Sequence, residues 1–240
     1  MTTEASLPQP RTHLPFDAVA FDMDGLLVDT EPLWWRAEAD IANAMGGQWT
    51  EADSRECVGG PMEKVAAIII ASAGGGDPTQ IISDVIKRVI ELLATEPVRW
   101  LPGARELLAH LQQHGVPHAL VSASPRPIVN AVLGALGDSA SSLQFSISAD
   151  DVLQTKPAPD PYLEAARRFG CPPDRLLVFE DSPTGTTSAV TSGAFVVAVP
   201  HVGGVQERPR LRIMSSLLGL EVDALAASVQ QMGGAVPAKS

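Results

Sequence analysis

Little in this chain carries positive charge. Its 240 residues hold 17 lysines and arginines against 28 aspartates and glutamates, a formal net charge of −11. A nucleic acid or an anionic membrane surface needs a basic stripe on its partner, and none is visible, so neither is expected as a partner. One small phosphorylated metabolite is still admissible, because a single basic pocket fits inside an acidic protein. Cysteine is as scarce. Cys57 and Cys171 stand far apart, outside any metal-binding spacing, which predicts a reduced cytoplasmic protein. Long apolar runs are missing too. The stretch at 65–73 is too short to cross a bilayer. The opening MTTEASLPQPRTHLPF has no apolar leader core and reads, like MGGAVPAKS at the other end, as a loose tail, at 1–15 and 232–240. The five histidines show no ligand spacing and read as surface or strand-edge residues. There is no internal repeat.

What the chain does have is a 45% apolar content and a regular alternation. Short apolar runs at 18–21, 118–121, 145–148, 176–179 and 195–199 alternate with helical patterns near 103–114, 125–136, 159–170 and 184–192. This predicts an α/β fold, a Rossmann-like parallel sheet wrapped by helices. Residues 32–99 break the alternation and contain no convincing strand. Trp34, Ala37, Ile41, Ala44 and Met45 share one helical face there, Thr50 and Asp53 give a capping signal, and Pro61 can open a helix that the glycines at 74–76 stop. Asp77-Pro78 opens a fourth helix with Ile81, Val85, Val89 and Leu92 on one stripe. The expected organisation is a core of 1–31 plus 100–240 carrying a small inserted helical cap at 32–99.

Open parallel sheets bind ligands beyond the C-terminal ends of their strands. Asp22 and Asp24 follow the first strand, Ser122 the second, Lys156 comes some residues after the third, and Glu180 and Asp181 follow the fourth. Two carboxylates about 4 Å apart repel by roughly 4 kcal/mol at an effective dielectric of ~20. Such a set needs a cation, and hard oxygen ligands suit Mg²⁺. A hydroxyl and backbone N–H groups can hold phosphate oxygens, and Lys156 can offset the remaining charge as a point cation. One carboxylate can then act as nucleophile and another can shuttle the proton. That chemistry is phosphoryl transfer. Each loop alone has a plainer reading: a solvated Asp–Gly turn, a strand-end hydroxyl, a surface lysine, an acidic helix cap. A calcium loop starting at Asp22 is discounted, because its glycine falls at the fourth position and residue 33 is leucine.

The segments FDMDGLLVDTEPLW, VSAS, TKPAPDPYL and FEDSPTG resemble, in order and spacing, the four motifs of the haloacid dehalogenase (HAD) superfamily. Over roughly 17–200 the chain is most similar to its β-phosphoglucomutase-like and sugar-phosphatase branch, with DTEPLW and SASP most like hexitol and 2-deoxyglucose-6-phosphate phosphatases. The resemblance implies a HAD-like hydrolase with Asp22 as nucleophile and Asp24 as general acid/base, its backbone carbonyl also touching the metal. It implies Ser122 and the Ala123 N–H on the phosphoryl group, Lys156 bridging that group and Asp22, and magnesium on Asp181, with Glu180 direct or through water. Ser124 and Arg126 could reach substrate, or could simply begin the following helix. Trp34, Trp35 and Trp49 read as cap core. Trp34 is also a substrate-side candidate, because it lies just beyond the catalytic loop. Trp34 stands where mutases of the branch have histidine, and the stretch at 59–62 has no arginine for a second phosphate, so a phosphatase is expected over a phosphomutase. Thr155 replaces the usual glycine before the lysine. A non-catalytic binding module is the alternative from another class. A monomer or weak homodimer is expected.

Overall fold

The computed structural model describes residues 14–57, 60–200 and 204–233. His13, His201, Val58 and Gly59 lie outside that set, as do most of both expected tails. Six strands form one parallel sheet. They are β1 (Ala18–Phe21), β4 (His118–Val121), β5 (Ser146–Ile147), β6 (Leu176–Glu180), β7 (Phe195–Ala198) and β8 (Leu211–Ile213), in the order β5-β4-β1-β6-β7-β8. The chain starts in the middle at β1, builds outward through β4 and β5, then crosses to β6 on the other side. That reversal beside β1 is where such a sheet opens a crevice. The expected strand at 145–148 is shorter, and Glu180 is the last residue of β6 rather than the first beyond it.

Strand parity sorts the core. Val19, Phe21, Leu120, Leu177, Phe179 and Val197 face one way, with α5 (Ala104–Gln113), α6 (Arg126–Leu136) and α9 (Val222–Gly233). Ala18, Ala20, Val121, Val178, Val196 and Ala198 face the other, with α7 (Asp160–Phe169) and α8 (Pro183–Ser192). The period of two in a strand is the cause, because alternate side chains leave opposite faces. The Phe21 and Phe179 rings stack across the register at 5.0 Å. Met232 is buried in α9, so that end of the chain carries packing that the tail reading did not anticipate.

The chain leaves the sheet through a short strand, β2 (Val28–Asp29), and returns through β3 (Arg99–Trp100). The two pair antiparallel, Val28 with Trp100 and Asp29 with Arg99. Between them lie only helices: α1 (Glu31–Ala44), α2 (Glu51–Cys57), α3 (Met62–Ala73) and α4 (Pro78–Thr95). The ribbon was not expected, and Arg99 is strand rather than helix. Thr50 and Asp53 exchange hydrogen bonds at the start of α2, and the Asp77 carboxylate accepts from the Thr79 N–H at the start of α4. Ile81, Val85, Val89 and Leu92 are buried as the stripe required, and α4 packs on α1, α3 and α6. On α1 the expected face is seated on the core, with Ala37 buried and Trp34, Ile41 and Met45 packed against it; of that face Ala44 alone is exposed, and the buried surface widens to take in Leu33, Ala42 and the Glu38 carboxylate. His118 is also not at the surface: it is buried in β4, between the Val116 carbonyl and the Ser142 hydroxyl. No single helix among the described residues is long and apolar enough to cross a membrane. The apolar pair α3 and α4 is bent by 107° and spends its faces on the core.

Gly103 turns the returning chain into α5 at φ +86°, and a Cβ there would lie 2.3 Å from the Leu217 carbonyl carbon. Gly103→Ala is expected to cost about 2 kcal/mol or more by urea denaturation, from the left-handed backbone and an obstructing main chain. A change within about 0.5 kcal/mol, typical of an unconstrained surface position, would contradict this account.

Candidate active site

The strand ends deliver the side chains. Phe21 is level with both Leu120 and Phe179. The next residues outward, Asp22, Val121 and Glu180, are therefore neighbours, and parity sends Asp22 and Glu180 to the α7 side. Asp22 is 8% exposed and Glu180 fully buried. Lys156 lies on the loop after β5, beyond a 3-10 turn at Ala149–Asp151, and reaches back between them. Its ammonium donates to Asp22 Oδ1, to Glu180 Oε1 at 2.7 Å and to the Val121 carbonyl at 2.9 Å. Glu180 also accepts from the Tyr162 hydroxyl at 2.5 Å, and its other oxygen accepts from the Asp181 N–H and the Ser182 hydroxyl. A buried lysine between two carboxylates has its three donors used, which a surface lysine would not need.

Asp24 sits apart from that group. Its carboxylate accepts from the Thr30 hydroxyl on one oxygen, and on the other from the Ser124 hydroxyl at 2.9 Å and, more weakly, from the Ser122 hydroxyl at 3.5 Å. Thr30 precedes α1, so the inserted helices begin on a hydrogen bond to this aspartate. Ser122 is buried, Ser124 half-buried and Ala123 exposed, and the Ser124 N–H donates to the Ser122 hydroxyl. Trp34 is half-buried one turn into α1 and packs on the core. Arg126 opens α6, but its guanidinium is held by Asp151 and Ser146, which removes it from the site. The nine expected site residues thus occupy the β1, β4 and β6 ends, the lysine loop and the first turn of α1.

Sequence reasoning missed Thr30 and Tyr162. The signals were there in part: Tyr162 is the chain's only tyrosine, six residues past Lys156 on the face of α7 that meets Glu180.

The donor set fits a hard divalent cation. Asp22, Glu180 and Asp181 can each offer an oxygen within 4.8 Å of the others. Fully ionised, three carboxylates against one ammonium leave a surplus of two negative charges. Gly25 makes room for the set: a Cβ there would lie 2.4 Å from Asp181 Oδ2. At Gly185 a Cβ would collide with the Glu180 carboxylate. Without a cation the surplus is shed by protonation. Burial, with the Glu180 and Asp24 charges, pushes Asp22 up to about 7 against the pull of Lys156. Burial, then the Asp22 and Glu180 charges, pushes Asp181 to about 9. Burial opposes the Lys156 charge, but the two carboxylates outweigh it and hold the ammonium above its usual range.

Residues 19–199 match the family described as haloacid dehalogenase-like hydrolase. The protein CbbY of Rhodobacter capsulatus is 34% identical over 193 residues, 76% of this chain and 85% of that protein. Hexitol phosphatase B of Escherichia coli K12 is 33% identical over 187 residues, 76% of this chain and 83% of that protein. Among solved structures, CbbY from Rhodobacter sphaeroides in complex with phosphate superposes with a TM-score of 0.74 at 25% identity, covering 85% of this chain and 96% of that one.

The raised carboxyls set a pH dependence. Unfolded, both aspartates ionise near their ordinary value of about 3.9. Between that value and about 7 for Asp22, or about 9 for Asp181, the native state binds more protons than the unfolded one. Metal-free stability therefore falls as pH rises through the window. Thermal melts in chelator should drop from about pH 6.5 to about pH 9, and Asp181→Asn should flatten the slope. Equal slopes in the two proteins would refute the assignment.

Proposed function

The chain belongs to the haloacid dehalogenase-like hydrolase family and is a phosphoric monoester hydrolase of that type, and from that premise we propose a magnesium-dependent phosphatase of small sugar or polyol phosphates that works through an aspartyl-phosphate on Asp22. The observation that carries the reading is the division of labour between the two aspartates. Asp22 is held against the Lys156 ammonium, and Asp24 is held apart by hydroxyl donors from the Ser122 loop and from the start of α1.

Asp22 Oδ attacks phosphorus in line, and the bond from phosphorus to the alcohol oxygen breaks. The Asp24 carboxyl gives its proton to that oxygen. Water then attacks the phosphorus of the acyl phosphate and loses a proton to Asp24, and Asp22 is released with inorganic phosphate. Ser122 and the Ala123 N–H bind equatorial oxygens, and Lys156 bridges the phosphoryl group and Asp22. Magnesium, held by Asp22, Asp181, the Asp24 carbonyl and Glu180 directly or through water, would neutralise charge on the transferring group. The helices of 32–99 form a cap that excludes bulk water and shapes selectivity.

A sugar or polyol phosphate is favoured by the likeness to hexitol phosphatase B. A phosphomutase is not favoured: Trp34 occupies the position a histidine would need, and Lys64, the basic residue beside the cap loop, is engaged by Glu56. With no basic stripe in the sequence and both described thiols free, we read the protein as cytoplasmic, a monomer or weak homodimer, acting on small metabolites.

Asp22→Asn should lower magnesium-dependent hydrolysis of p-nitrophenyl phosphate by on the order of 10³-fold or more, with the fold intact by circular dichroism. Chelator should silence the wild type and added magnesium restore it, and a hexose 1-phosphate should yield free phosphate. Wild-type turnover in Asp22→Asn would overturn the nucleophile assignment. An isomerised sugar phosphate as the product would establish the mutase instead.

A further inference from the structure

One buried charge lies outside the catalytic set. Glu38, on α1, is 4% exposed, and its Oε2 is the single buried side-chain polar atom without a hydrogen-bond partner among the described residues. Buried polar atoms almost always find partners, and an orphaned one points to a strained or functional position. Four cations of the inserted segment are spent elsewhere: Arg36 on Glu96, Arg55 on Glu51, Lys64 on Glu56, Arg88 on Asp40 and Glu91. Burial pushes the Glu38 carboxyl up to about 7.

Its place on the helix gives the orphan a direction. Thr30, Trp34 and Glu38 are spaced at i, i+4 and i+8, and so lie along one ridge of α1. The ridge begins at Thr30, whose hydroxyl donates to Asp24. At 1.5 Å per residue Glu38 stands about 12 Å further along, and the Cα–Cβ bonds of a helix tilt back toward its N-terminus, here the Asp24 end. On its other side is the end of α2. The Cys57 thiol there is pushed up to about 11, first by burial and then by the Glu38 charge. Glu38 therefore stands on the α1 ridge that starts at the Asp24 contact, within electrostatic reach of Cys57 at the end of α2.

We propose that Glu38 is a specificity-determining residue, whose free carboxyl oxygen takes a hydrogen bond from a hydroxyl of the substrate's alcohol half and so selects polyhydroxylated leaving groups over apolar ones. The inference rests on the phosphatase reading of the Asp22 site. A carboxyl at this position repels a second phosphate, which fits a monophosphorylated polyol. A site built to bond a hydroxyl discriminates strongly against an analogue lacking it, because its own polar atom is then left unpaired.

The test is the ratio of kcat/KM for sorbitol 6-phosphate to that for phenyl phosphate, with magnesium, in wild type, Glu38→Met and Glu38→Gln. The ratio should exceed one in wild type and fall about tenfold or more in Glu38→Met, chiefly through KM for the polyol ester. Glu38→Gln, which keeps an acceptor, should retain most of the preference. Glu38→Met should also melt higher, because it removes a buried unpaired polar group; a purely structural role would not couple a higher Tm to a lost preference. If the methionine form fails to fold, Glu38→Leu carries the same expectation. A ratio unchanged within about threefold in the apolar variant overturns the proposal, as does a wild type without preference that still hydrolyses phenyl phosphate. A wild type inert on both esters overturns the phosphatase reading and this inference with it.

Discussion

The ammonium of Lys156, sealed between Asp22 and Glu180, is the interaction on which the rest of the site depends. It is buried, it uses its three donors, and it offsets only part of the charge around it. Two consequences follow from elementary electrostatics. Removing the lysine would leave two buried carboxylates uncompensated, which is far costlier than never having buried them. Keeping it leaves the centre short of positive charge by the amount one divalent cation supplies. The glycines at 25 and 185 belong to the same constraint, because each gives its Cβ volume to a carboxylate.

The backbone explains why these groups meet. In a parallel sheet, adjacent strands end at one edge, and the register puts Asp22 level with Glu180 on the α7 face. Tyr162 rises from α7 to bond Glu180, and its ring lies 5.2 Å from the lysine nitrogen. The tyrosine thus couples the helical layer behind the sheet to the charge at its edge. Asp24, two residues on, leaves that cluster and is taken up by Thr30 and Ser124. One dipeptide step separates a group held by an ammonium from a group held by hydroxyls.

Much of this was legible in the residues, because strands of four or five buried apolar residues and amphipathic helices such as α4 carry strong periodic signals. The four loops could be read because their residue types make sense only together. The elements that escaped are those whose signal is short or shared. The ribbon strands β2 and β3 have two residues each, too few to show alternation, and their pairing is a tertiary event. β8 has three residues on the sheet edge, only one of them fully buried. His118 reads as polar, yet an acceptor and a hydroxyl inside the fold satisfy it. Tyr162 was hidden for the opposite reason, since an apolar ring at a helical core position gives no hint that its hydroxyl matters.

The buried face of α1 is wider than its apolar pattern, and Glu38 is the most informative departure within it. A helix chosen only for burial would put Ala44 inward and Glu38 outward. The observed helix leaves Ala44 exposed and buries Glu38, while Trp34, Ile41 and Met45 still pack on the core. Thr30, the residue before the helix, donates to Asp24, and that contact fixes the N-terminal end of a helix of 14 residues. Positions 34 and 38 continue the ridge that starts there, each step of four residues turning it by about 40°. The buried carboxylate further along is compatible with folding only as far as the core can tolerate one unpaired oxygen. A buried polar residue in an otherwise apolar face marks a position that packing alone does not explain. Here that position lies on the ridge that runs from the Asp24 contact along the first inserted helix.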